Sequence, residues 1–104
     1  MKYIMIYCTT SNKDSALKIA NELVNKKLVA CCNIITAITS VYNWQNKVNT
    51  DAEVLMIMKT KSTLFKLVEQ EIKKLHDYEV PEIISTEITD GSEDYLNWID
   101  EQTI

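Results

Sequence analysis

Residues 29–60 restrict the possible folds more than any other part of the chain. Val29 to Trp44 is long, β-branched and free of Gly and Pro, and Val48 to Thr60 repeats that character, most strongly in EVLMIMKT. Gln45-Asn46-Lys47 supplies a turn between them, since Asn tolerates left-handed backbone better than most residues. The pattern predicts a hairpin with arms well beyond the usual length of about five or six residues, its first arm bent or bulged midway. A small sheet cannot cover such arms along their full length. The overhang needs a partner, and a second copy of the chain is the economical one.

The remaining elements follow from periodicity. Tyr3 to Thr9 alternates as a strand with both faces largely apolar. Ser11-Asn12-Lys13-Asp14 gives a capping-box pattern, and Ala16, Leu17, Ala20, Leu23, Val24 and Leu28 follow at helical spacing. Ser62 is placed to cap a second helix with Leu64, Phe65, Val68, Ile72 and Leu75 as its stripe. Glu79 to Ile88 reads as a strand, at an edge or entering the sheet at Pro81, which lacks a donor. Asp90-Gly91-Ser92 opens a short C-terminal helix carrying Tyr95, Leu96, Trp98 and Ile99. The order β-α-β-β-α-β plus a terminal helix predicts an α+β, ferredoxin-like fold, as one domain over residues 1–104.

Composition removes several functions. Gly91 is the only glycine, so no GxGxxG fingerprint or P-loop exists. All 11 basic residues are Lys, against 15 acidic ones, for a net charge of −4. That balance argues against nucleic acid and against anionic membranes. The start of the chain lacks a signal-peptide pattern, and no apolar run, Val54 to Met58 included, is long enough to span a bilayer. Three cysteines, two of them adjacent, fit reduced thiols in the cytoplasm. With one histidine, no Ser-His-Asp set can be assembled, and Glu79 and Glu82 fall on opposite strand faces by parity. No enzymatic role is expected.

Six segments taken together carry a resemblance: CTT, LVACCNI, ITSVYNW, EVLMIMKT, LHDYEVPEII and YLNWI. In order and spacing they resemble the CutA family of divalent-cation tolerance proteins. The resemblance implies a ferredoxin-like homotrimer whose long hairpins continue into neighbouring subunits, in a PII-like assembly. It implies tolerance of divalent metals, with copper or another divalent cation as the candidate ligand and no required cofactor. The chain departs from the family pattern at Asp77, where Pro is usual, and at Asn46, where the turn usually carries Gly; Leu75 takes the first position of a His-His pair that some members implicated in copper binding carry.

Candidate metal ligands are Cys8, which matches a cysteine implicated in copper binding, His76, and Glu82 as an oxygen donor. A thiolate and an imidazole suit Cu(I). For Cys8 the competing reading is a small buried hydrophobe, and for His76 it is a cap on the preceding helix. Cys31 is expected in the core and Cys32 is read as a small strand residue. Thr9-Thr10-Ser11 is read as a helix cap in preference to an anion site. A second set of residues that follow the family pattern, Tyr42, Trp44, Lys59, Tyr78, Glu82 and Trp98, fits an intersubunit cleft for a small ligand, with a Lys59–Glu82 ion pair expected inside it; for each aromatic the competing and favoured reading is plain contact area at an oligomer interface. The function expected is thus a metal-tolerance homotrimer, the alternative a PII-like sensor or scaffold that binds a small ligand or protein partner in such clefts.

Overall fold

The long hairpin supplies two of four strands in the computed structural model, which describes residues 2–104. The elements are β1 (Tyr3–Thr10), α1 (Lys13–Asn25), β2 (Cys31–Trp44), β3 (Lys47–Lys61), α2 (Phe65–Leu75), β4 (Ile84–Ile88) and α3 (Glu93–Gln102). Strand order is β2-β3-β1-β4, with each neighbouring pair antiparallel. This is the ferredoxin-like α+β plan.

Alternation in β1 and β3 builds the core. Ile4, Ile6 and Cys8 lie beside Val54, Met56 and Met58 and meet Ala16, Ile19, Ala20 and Leu23 of α1 and Val68 and Ile72 of α2. Leu17 and Val24, expected in the α1 stripe, are exposed; Ile19 takes the buried position. The α1 cap is Asn12, whose side-chain oxygen accepts from the Ser15 amide at 2.8 Å, so Ser11 is not the cap. Nor does Ser62 cap α2. It opens a 3₁₀ turn, Ser62–Leu64, and makes no capping bond.

The hairpin closes through a two-residue turn. Trp44 pairs with Lys47, and Gln45 and Asn46 take φ of 52° and 64°. Lys47 therefore belongs to the strand. Both central residues are left-handed, which matches the natural twist of a hairpin. The expected bend is a β-bulge: Ile35 pairs with Leu55 and Ile38 with Glu53, which leaves one extra residue in β2, and Ala37 there has φ 62°. β1 covers β3 only from Val54 to Lys61. Beyond that the two arms pair with each other alone and expose Val41, Trp44 and Val48.

The last strand is shorter than predicted. Residues 79–83 are irregular, and β4 begins only at Ile84. Pro81 cannot donate to a ladder, so the segment before it arches over the end of the sheet instead. α3 then returns to β3 on the side away from α1 and α2. The 9% exposed Lys61 reaches it, with Nζ 3.3 Å from the Thr103 carbonyl, 3.0 Å from that of Ile104 and 3.5 Å from Asp100.

Candidate functional site: an acidic cleft at the base of the arm

β1 ends at Thr10 and α2 at Leu75, and His76 ties these two ends together. Its amide makes the last backbone bond of the helix, to the Ile72 carbonyl at 2.8 Å, but its ring turns to other partners and does not cap the α2 carbonyls. Its Nε2 lies 2.7 Å from the Thr9 carbonyl, and its Nδ1 accepts the Tyr78 amide at 3.1 Å. That pattern makes Nε2 the donor and Nδ1 the acceptor of the ring. The side chain is 1% exposed and stacks obliquely on Tyr78, ring centroids 4.7 Å apart. Residues 77–82 are thereby held across the end of β1, facing the arm.

An open cleft of about 650 Å³ lies between that segment and the arm. Tyr42 and Trp44 line it from β2, Glu53 from β3, and Asp77, Tyr78, Glu79 and Glu82 from the crossing segment; Thr9, Ser40, Val41 and Val80 complete it. Four carboxylates face the cleft and no Lys does. Glu53 is the most enclosed of them at 9% exposure. Its Oε2 accepts the Tyr78 hydroxyl at 2.7 Å, and among the described residues it has no ion-pair partner. The Tyr42 hydroxyl donates to Asp51. Burial and the bond to Glu53 push the Tyr78 hydroxyl well above the usual phenol range, and the Asp51 bond raises that of Tyr42. Both phenols remain donors and leave the negative charge on their carboxylates.

Tyr42, Trp44, Tyr78 and Glu82 line this one cleft of the subunit, and Lys59 and Trp98 do not join them within it. Lys59 is six residues from Glu53 along β3, about 20 Å at strand rise. Its Nζ lies 3.9 Å from the Cys31 sulfur, with no ion pair to Glu82. Trp98 stacks on Tyr95 in α3, centroids 5.5 Å apart. The parity argument that separated Glu79 from Glu82 fails because this stretch is not a strand, and both line the cleft. Glu53 and Asp77 went unrecognised. The only hint was an acidic residue at the head of the apolar EVLMIMKT run.

The expected metal ligands are differently placed. Cys8 is 0% exposed in the core, its sulfur 3.7 Å from the Thr9 carbonyl. Burial, then the charges of Glu82, Cys32 and Glu53, push its thiol up to about 12. A thiolate is strongly disfavoured there. Both His76 nitrogens are occupied, so of the three candidates Glu82 alone lines the cleft. Among the described residues no three His, Cys, Asp or Glu side chains converge on a metal position. The adjacent cysteines reverse their expected roles: Cys32 packs against the core, and Cys31, opposite Lys59, faces α3.

Fold and cleft together define a class: a ferredoxin-like subunit with an overhanging hairpin and an acidic, aromatic-walled cleft at its base. The family model described as CutA1 divalent ion tolerance protein matches residues 4–102, and the chain belongs to that family. It is 42% identical over 100 residues to the chloroplastic protein CutA of Arabidopsis thaliana, covering 96% of this chain and 55% of that one. It is 38% identical over 99 residues to the divalent-cation tolerance protein CutA of Thermus thermophilus, covering 95% and 96%. The chain spans about half the length of its plant relatives. The crystal structure of CutA1 from Oryza sativa superposes with a TM-score of 0.97 at 39% identity, over 100% of this chain and 95% of that one. Among the described residues no helix is long and apolar enough to cross a membrane.

Proposed function

We propose that the protein is one subunit of a homotrimeric divalent-cation tolerance protein and that its acidic cleft is where it meets cations. The observation that carries this reading is Glu53, an enclosed carboxylate without a counter-charge, in a cleft that also holds Asp77, Glu79 and Glu82. Uncompensated carboxylates in a concave, partly dry site concentrate cations. The relatives from Thermus and Pyrococcus are named for divalent-cation tolerance, which agrees. The exposed apolar arm supports self-association, with a neighbouring subunit covering Val41 and Val48. Copper or another divalent cation would then take Glu82 as one oxygen ligand, with coordination completed at the subunit junction. Three free cysteines suit a cytoplasmic, reducing setting. The role is binding, not catalysis.

Native mass spectrometry under reducing conditions, with and without copper and zinc, tests this. The expected species has three times the 12.0 kDa subunit mass and gains metal in a manner that Glu79→Gln/Glu82→Gln reduces. A monomer, or metal uptake indifferent to those substitutions, overturns the reading. The PII-like alternative, a sensor for a small ligand, is favoured by one feature: the aromatic walls formed by Tyr42, Trp44 and Tyr78.

A further inference from the structure

We infer that the cleft at the base of the arm takes a small organic ammonium ion, an amine whose charge is wrapped in apolar surface. This rests on the reading of the cleft as a cation site and departs from it in the class of cation. Three features lead there. Glu53 is nine-tenths buried, lines the cleft and lacks an ion-pair partner among the described residues, so the site calls for a positive charge. The carboxylates are spread along both walls without converging in threes, whereas a bare divalent cation collects about six or more oxygens at about 2.0–2.6 Å. Lastly, Tyr42, Trp44 and Tyr78 supply aromatic surface on the same walls.

Aromatic faces beside carboxylates attract a diffuse cation through the ring quadrupole, and a metal ion with its tight water shell gains little from them. The two tyrosines are held in place by their hydroxyls, Tyr42 on Asp51 and Tyr78 on Glu53. Their rings are therefore set before a ligand arrives. The volume, about 650 Å³, falls within the usual small-molecule range.

The test is a titration of tetramethylammonium chloride into the full chain carrying Trp98→Phe, at constant ionic strength. Trp44 is then the remaining tryptophan and reports on the cleft. A saturable fluorescence change is expected, with neutral tert-butanol binding at least about tenfold more weakly. Glu53→Gln should weaken tetramethylammonium about tenfold. Glu79→Gln/Glu82→Gln, at the more open positions, should also weaken it and keeps the test decisive if the enclosed variant fails to fold. No saturation, an equal response to tert-butanol, or indifference to every carboxylate variant overturns the inference. A parallel zinc titration separates the two readings. Zinc binding that depends on Glu82 without ammonium binding refutes only the inference, and binding of neither refutes both.

Discussion

The imidazole Nε2 of His76 stands 2.7 Å from the carbonyl oxygen of Thr9, a contact between residues 67 positions apart. It joins the end of α2 to the end of β1 and sets the wall from which Asp77 to Glu82 face the arm. His76→Ala would strand that carbonyl and the Tyr78 amide in a dry position. A loss of about 2–6 kcal/mol is expected, from about 1–3 for each of the two orphaned groups. Urea unfolding of the two proteins measures it. His76→Gln should recover part of the loss by restoring one bond, and an unchanged midpoint in His76→Ala would show that the tie carries no stability.

Alkali should unfold the protein through its buried thiols. Cys8 is pushed from its ordinary 9.0 up to about 12, chiefly by burial, so the folded chain holds this proton more tightly than the unfolded chain does. The associated stability is complete below pH 9 and drains away as pH rises from 9 to 12. Cys32 behaves in the same way, and the raised hydroxyls of Tyr78 and Tyr42 act in the same direction above pH 10. Cys8→Ala should cost about 1 kcal/mol at pH 7 through the small void it leaves. It should also remove up to about 4 kcal/mol of the loss by pH 12. Denaturation curves at pH 7, 9 and 11 decide this. Parallel pH profiles for the two proteins would show that Cys8 does not titrate in this way.

Among the described residues four non-glycines hold left-handed backbone: Gln45 and Asn46 in the hairpin turn, and two outside it where glycine would be less strained. Lys27, with φ 57°, follows the α1 cap in a Schellman arrangement: its amide meets the Val24 carbonyl and that of Leu28 meets Leu23, each at 3.0 Å. Ala37, at φ 62°, is in the β2 bulge. Lys27→Gly and Ala37→Gly should each stabilise the fold by about 0.5–1 kcal/mol, because relief of strain outweighs the extra freedom of the unfolded chain. Thermal denaturation checks it; a lower melting temperature for both would refute the assignment.

Such positions also explain what was legible in the sequence. Alternation gave β1 and β3, and Asn46 gave the turn, because period and turn chemistry are local. The bulge was expected somewhere in β2, but Ala37 carries no signal of its backbone, so its position was hidden. The helix stripe drifted onto Leu17 and Val24 because apolar spacing alone does not say how wide a face the sheet will cover. In the site, Tyr42, Trp44, Tyr78 and Glu82 stood out through family motifs. Glu53 did not, since its enclosure exists only once His76 folds Tyr78 over it. The Lys59–Glu82 pair paired two charges by type, whereas strand register set Lys59 against Cys31 and Met5.

Lys59 therefore provides a control on the cleft. It is about 20 Å along the strand from Glu53. Charges that far apart are screened at physiological salt, where the Debye length is about 8 Å. Lys59→Met should leave zinc or ammonium titrations of the cleft unchanged to within about twofold at that ionic strength. Glu82→Gln, which removes a lining carboxylate, should weaken the same titrations about tenfold. Fluorescence of Trp44 in the Trp98→Phe background reads both. Binding that tightens severalfold in Lys59→Met would mean that its ammonium does reach a cleft, the cleft of a neighbouring subunit. Lys59 would then be an intersubunit member of the site, brought there by the assembly and not by the strand that carries it.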